Sequence, residues 1–302
     1  MPTILITGGS GLIGSALTNA LVGRGHSVRH LSRTPGSRNG VQAFAWNIQE
    51  RTIDASALEG VDHIVHLAGE NIIAKRWSPE RLRLCEESRT ESARLVLRAA
   101  REAGVRPQSF ISASGVGYYG AQTLDHIFGE NDASATDAIG NLTRAWEDAV
   151  DEWSTLARVV KFRTPVVLAR EGGAWPRFAQ LARWCVLAPL GSGRQWIPWV
   201  HIDDLVRAYL CAIDGTTWQG AYNIVAPEHN TNQSFLQAVA RSVHRPLFPI
   251  AVPGFVLKAA MGEMAALLTE GSRVESVRLS APGFEFKYGL LADALRELAT
   301  SR

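Results

Sequence analysis

Short apolar runs alternate with stretches of helical spacing through the first half of the chain. Thr3–Thr7 reads as a strand, 8–14 as a glycine-rich turn, and 15–23 as an amphipathic helix stopped by Gly23. HSVRHLSR at 26–33 and VQAFAWNI at 41–48 read as the next two strands, VDHIVHLAG at 61–69 as a fourth and SFISAS at 109–114 as a fifth. A long arginine-rich helix is predicted from about Pro79 to Ala103, ended by Gly104. NLTRAWEDAVDEWS at 141–154 is another helix, and ARVVKFRTPVVL at 157–168 a single further strand. Strand and helix in alternation predict a Rossmann-type α/β fold, a doubly wound parallel sheet with right-handed crossovers.

The pattern changes after residue 168. Glycine, tryptophan and proline become frequent, HIDDLVRAYLCAI at 201–213 returns to a clean helix, and short strands mix with helices from Tyr222 onward. The expected division is a nucleotide-binding domain from 1–168 plus 199–225, and a smaller discontinuous lobe from 169–198 plus 226–302. Composition adds limits. The hydrophobic share is 46% and the charged share 20%, enough for a normal core without metal or disulfide support. A net charge of +2 gives no global field favouring nucleic acid or an anionic membrane. Cys85, Cys185 and Cys211 are odd in number and far apart, so neither a disulfide frame nor a zinc site is expected. With no signal-like leader and no long apolar run, a cytoplasmic protein without membrane partners is expected.

The sharpest motif is ITGGSGLIG at 6–14. Thr7 ends a strand. Gly8 permits the tight turn, Gly11 lets backbone approach a pyrophosphate, and Gly14 lets the helix pack close. The helix N-terminus that follows, with Leu12 and Ile13 leading into it, offers unpaired N–H groups to phosphates. An NAD-specific site places an acid about 20 residues on, at the end of the second strand. Ser32 and Arg33 stand there instead, and an arginine pairs with a 2′-phosphate, so NADP(H) is favoured over NAD(H). Asn47 is placed either on the adenine edge or in a turn. Arg38 reads either as a second contact to the 2′-phosphate or as a solvated loop arginine.

TGGSGLIG (7–14), HLAG (66–69), SAS (112–114), RTPVVL (163–168) and WVHIDDL (199–205) together resemble an atypical extended short-chain dehydrogenase/reductase. AGENI (68–72), SASGVGYYG (112–120), REGGA (170–174) and PGFEFKYGLLADAL (282–295) are similar to the YfcH-like branch of the NAD-dependent epimerase/dehydratase family, which has a C-terminal domain of unknown function. The resemblance covers essentially the whole chain. It implies that Leu67, Ala68 and Gly69 pass close to the cofactor, that Arg163 and Pro165 lie near the nicotinamide, and that Ser114 polarises a substrate oxygen.

One part of the family pattern is missing. Active members carry a Tyr-x-x-x-Lys pair about 25 residues after that serine, for proton transfer. Here Ile139 and Thr143 stand near those positions, and no Tyr-x-x-x-Lys occurs anywhere in the chain. Tyr118 and Tyr119, directly after the serine turn, and Glu70, after HLAG, are the substitute proton donors; packing or surface roles compete for each. Lys161 is expected to start a strand and point elsewhere, and His201 to pack. No metal site is expected. The expected function is an NADP(H)-binding oxidoreductase or epimerase-like enzyme with a non-standard active site. Its partner would be a small-molecule alcohol or carbonyl substrate such as a nucleotide sugar, with a homodimer through the long helix as a further possibility. The alternative is a non-catalytic NADPH sensor.

Overall fold

The computed structural model describes residues 1–38, 40–280 and 283–300. Pro282, which opens the C-terminal stretch of resemblance, lies outside the described residues, as does the side chain of Arg38.

Among the described residues the strands are β1 (Thr3–Thr7), β2 (Ser27–Ser32), β3 (Gly36–Arg38), β4 (Val41–Asn47), β5 (Thr52–Ile53), β6 (His63–His66) and β7 (Ser109–Gly115). They continue with β8 (Ile127–Phe128), β9 (Arg158–Thr164), β10 (Val166–Leu168), β11 (Trp199–His201), β12 (Gly220–Asn223) and β13 (Arg273–Val274). The helices are α1 (Leu12–Gly23), α2 (Pro79–Glu102), α3 (Ala138–Asp151), α4 (Trp175–Arg183), α5 (Ile202–Asp214), α6 (Asn232–Ser242), α7 (Gly254–Met261), α8 (Ala266–Thr269) and α9 (Leu291–Ala299).

The central sheet has the order β12-β9-β7-β6-β1-β2-β4-β3. Every pairing from β12 to β4 is parallel, while β3 and β5 pair with β4 antiparallel. The predicted doubly wound parallel sheet is therefore present. Chain direction across the sheet reverses between β1 and β6, which opens a crevice at their C-terminal ends.

Strand alternation explains the layers. Ile4 and Ile6 face one side and pack with Leu17 and Leu21 of α1 and Tyr209 and Ile213 of α5. Leu5, Ile64 and Phe110 face the other, against Val96 and Ala100 of α2 and Trp146 and Val150 of α3. Two helix starts are capped in sequence: Ser78 accepts from Arg81 N ahead of α2, with Pro79 at its first position, and Asp137 accepts from Gly140 N ahead of α3.

The single strand predicted over 157–168 is two. Pro165 has no N–H to give a ladder, and the chain leaves the sheet there. β10 pairs instead with β11 in a separate parallel pair. A third apolar cluster, including Trp175, Phe235, Leu236, Leu291 and Leu295, forms around α4, α6 and α9. The C-terminal segment is tied back to the sheet domain. The buried Asp204 carboxylate accepts from Lys287 N and Tyr288 N at 2.8 Å each, and Glu297 meets both Arg170 and His201. His201 packs as expected: it caps α5, accepting from Asp203 N, and is buried against Tyr288.

Candidate active site

The glycine turn follows β1 and meets the loop after β6 in close backbone contact. Gly8 has φ +70, and a Cβ there would stand 2.9 Å from the backbone of Leu67. A Cβ on Gly14 would stand 2.3 Å from Gly8 O, so helix and turn are in backbone contact. Gly11 differs: only Gly8 O, at 3.3 Å, lies within reach of a Cβ, and the residue is exposed. Gly11 caps α1 without a side-chain bond, and the first turn carries no acid. Ser15 N bonds back to Gly11 O, leaving the N–H groups of Leu12, Ile13 and Gly14 as the helix's open donors. The loop through Gly172 and Gly173 lies against the Leu12 side chain.

Thr7 locks this turn to the neighbouring loop. Its hydroxyl oxygen accepts from Leu67 N and Ala68 N at 3.1 Å each, so its proton goes to His66 Nδ1 at 2.9 Å. Ser92 donates to Arg89 O and therefore accepts from His66 Nε2 at 3.1 Å. His66 is thus neutral and protonated on Nε2; burial holds its pKa down at about 4.

The remaining predicted cofactor residues stand at or just after the C-terminal ends of β2, β4, β6 and β9. Ser32 ends β2 and accepts from Thr34 N. Arg33 is exposed and makes no hydrogen bond or ion pair among the described residues. Asn47 Oδ1 caps the turn that follows β4, accepting from Gln49 N and Glu50 N. Gly69 is covered by Arg89, whose guanidinium also stands 5.0 Å from the Trp146 ring. Pro165 is half-buried at the end of β9.

Ser114 sits in β7 opposite Arg163 of β9. Its hydroxyl donates to Glu147 Oε1 of α3 at 2.7 Å. Arg163 clasps the same carboxylate with two donors, Nε to Oε1 at 2.8 Å and Nη2 to Oε2 at 3.0 Å, and Lys161 Nζ stands 3.4 Å from Oε2. Burial pushes the Glu147 carboxyl up, but the Arg163 bonds and charge, with Lys161 and Ser114, outweigh it and hold it below the usual carboxylate range. Arg163 Nη1 donates to Tyr119 OH at 2.7 Å, so the phenol's own proton goes to Gly129 O or Asn223 Oδ1, both at 2.9 Å. Burial raises the Tyr119 pKa to about 12, against the pull of Arg163. Glu130 extends the network: its carboxylate accepts from Asn223 N, Val277 N and Arg278 N, and its carbonyl from Arg163.

Tyr118 is placed differently. It is half-buried, its ring lies under the Arg163 guanidinium at 3.5 Å, and its hydroxyl has no hydrogen-bond partner among the described residues. Ile139 and Thr143 are buried beside the serine turn. Ile139 Cγ2 closes on Gly117, and Thr143 donates back to Ile139 O, so neither offers a titratable group. Glu70 is exposed on the loop after β6, where it pairs with Arg81 at 3.1 Å. Lys161 does not start its strand or point elsewhere: it is the middle residue of β9, two before Arg163 and on the same face, and it reaches Glu147 and Asp151.

Sequence reasoning missed Glu147, Glu130 and Asn223. A signal for the first exists. Ile139, Thr143, Glu147 and Asp151 follow at i, i+4, i+8 and i+12, so one helix face carries the vacated Tyr and Lys positions and then two acids. Among the described residues no group of three or more His, Cys, Asp or Glu side chains could hold a metal.

Residues 4–143 match the NAD dependent epimerase/dehydratase family, and residues 252–298 match a domain of unknown function, DUF1731. Epimerase family protein ML0860 of Mycobacterium leprae is 36% identical over 302 residues, 99% of this chain and 96% of its own. Epimerase family protein SDR39U1 of Mus musculus is 35% identical over 298 residues, covering 98% and 99%. Among solved structures, the human epimerase family protein SDR39U1 with NADPH is similar at a TM-score of 0.89 and 34% identity, over 98% of this chain and 99% of that one. A nucleoside-diphosphate sugar epimerase from Corynebacterium glutamicum is similar at 0.79 and 29%, over 99% and 59%. With this identity over nearly its whole length, the chain belongs to the NAD dependent epimerase/dehydratase family, in the group of epimerase family proteins that carry a C-terminal DUF1731 segment.

Proposed function

We propose that this protein is an NADP(H)-dependent oxidoreductase or epimerase-like enzyme acting on a small alcohol or carbonyl compound, with a phenol–cation pair assembled from Tyr118 and Arg163. The observation that carries the reading is the Arg163 guanidinium held 3.5 Å over the Tyr118 ring, beside Ser114. The usual motif supplies a phenol and a fixed cation from one helix. Here a half-buried phenol and a buried cation meet from the serine turn and β9.

The cofactor fits the residues present. The open N–H groups of Leu12, Ile13 and Gly14 suit a pyrophosphate, and the bare Gly11 lets it approach. The free Arg33 suits a 2′-phosphate, and the NADPH carried by the human relative supports that choice. When bound, the nicotinamide supplies the hydride-transfer chemistry. In this reading Tyr118 exchanges a proton with the substrate oxygen. Ser114, its own proton committed to Glu147, presents lone pairs that accept from a substrate hydroxyl. Tyr119, with every bonding site occupied, serves as a pillar under Arg163. Residues 1–168 with 199–225 hold the cofactor, and 169–198 with 226–302 close over the substrate.

The test is NADPH oxidation across a carbonyl panel, and NADP⁺ reduction across the matching alcohols, followed by absorbance. Tyr118→Phe should lower kcat by about 10²–10⁴-fold with cofactor affinity unchanged. Undiminished turnover in that variant removes Tyr118 from the reaction.

A further inference from the structure

α7 is an apolar helix with nowhere to hide. Its sequence is GFVLKAAM, and none of its residues is buried. Phe255 is 76% exposed and Val256 44%. The segment before it carries Ile250 at 69% and Phe248 at 42%, and the end of α4 carries Leu181, Trp184 and Val186, with Trp184 at 63%. Half of the exposed large apolar side chains among the described residues fall in these two short segments. Single exposed apolar residues need no explanation, whereas a concentration of them marks a contact surface.

The two segments adjoin. Phe248 N donates to Leu187 O and Val252 N to Pro189 O, at 2.8 Å each, while Gly191 N returns a bond to Val252 O. The straps 187–191 and 248–252 therefore run side by side, with Trp184 and Val186 at one end and α7 at the other.

Charge along these two segments is one-sided. Residues 175–195 and 241–262 contain Arg177, Arg183, Arg194, Arg241, Arg245 and Lys258, and Glu263 is the first acid beyond them. The whole chain carries only +2, so the basic surplus is local. Beside the apolar patch lies an open cavity of about 680 Å³, with Arg183, Arg241, His244 and Arg296 at its edge and Val243 and Leu295 among its apolar lining. Of these cations, Arg296 is paired with Asp293 at 2.8 Å.

We propose that this face rests on an anionic phospholipid surface. The exposed Trp184, Ile250 and Phe255 enter the headgroup–acyl boundary, and the arginines of the cavity receive lipid phosphate. The basic surplus beside the apolar side chains decides between this and an uncharged protein partner. Contact is peripheral, since among the described residues no helix is long and apolar enough to cross a membrane.

Vesicle flotation tests this with the full chain. Vesicles of phosphatidylcholine alone should carry little protein, and vesicles mixed with phosphatidylglycerol should carry it in a salt-sensitive way. Trp184→Glu with Phe255→Glu should reduce the bound fraction by tenfold or more, and Arg183→Gln and Arg241→Gln by about fivefold each. Far-UV circular dichroism should be unchanged, because all four side chains are exposed. Equal or absent binding to the two vesicle types overturns the proposal. So does a dimer in light scattering that Phe255→Glu dissociates without any vesicle binding, which would assign the face to a second copy.

Discussion

Ser114 gives its proton to Glu147 across 2.7 Å, and Arg163 holds that same carboxylate with two bonds. Glu147 thus lies between two buried cations, because Lys161, paired also with Asp151, reaches it too. Glu147→Gln keeps the shape and removes the charge. Stripping the anion from a buried pair costs about 3–5 kcal/mol. Urea unfolding should show this loss, and Ser114→Ala, which leaves the ion pair intact, should show much less.

Tyr119 and Tyr118 separate by substitution to phenylalanine. Tyr119→Phe leaves Arg163 Nη1 and Asn223 short of a partner in a buried site, at a cost of about 1–3 kcal/mol. Tyr118→Phe should cost little stability, since its hydroxyl has no partner among the described residues. Paired denaturation and kinetic measurements should place the Tyr119 effect on stability and the Tyr118 effect on kcat.

Stability should depend on pH through His66. Its folded pKa is about 4 against an ordinary 6.5. Between those values the unfolded chain takes up a proton that the folded chain refuses, so stability is full above 6.5 and falls as the pH drops toward 4. The loss across that window is about 3 kcal/mol. His66→Gln can still accept from Thr7 and donate to Ser92, and it should flatten this dependence in urea titrations across the window.

Cofactor selectivity should follow Arg33. Arg33→Ala should weaken NADPH binding by about tenfold to a hundredfold, the worth of a charge-assisted phosphate contact, and leave NADH binding nearly unchanged. Fluorescence titration with both nucleotides checks this; equal losses would remove Arg33 from the 2′-phosphate.

Gly14→Ala should be among the most damaging small substitutions in the chain. Its methyl group would stand 2.3 Å from Gly8 O and 2.7 Å from Gly9 Cα, backbone atoms with no room to yield. Gly11→Ala meets only Gly8 O at 3.3 Å. Melting temperature should therefore fall for Gly14→Ala, and nucleotide affinity alone for Gly11→Ala.

Much of the fold was legible because its signals are local. Apolar runs, glycine stops and the turn at Gly8 mark the sheet order's first strands without reference to anything distant. The site was legible only where one segment decides it. Ser114 and the vacated positions 139 and 143 could be named, but Glu147 becomes meaningful only once β9 brings Arg163 and Lys161 across from it. Pro165 was visible as a residue, yet its effect, sending β10 out of the sheet, depends on β11 waiting 31 residues later. The apolar face around α7 escaped notice because an apolar helix reads as core until the fold leaves it uncovered.

Glu130 joins Asn223 of the sheet to Val277 and Arg278 of the DUF1731 segment through one carboxylate, next to the carbonyl that faces Tyr119. The two matched segments meet in ancestry as separate names but not in matter as separate parts. A chimera that imports residues 252–298 from another member of the family keeps Glu130 in the host part, and because that carboxylate accepts from backbone N–H groups, the junction holds for any imported sequence without proline at 277 or 278.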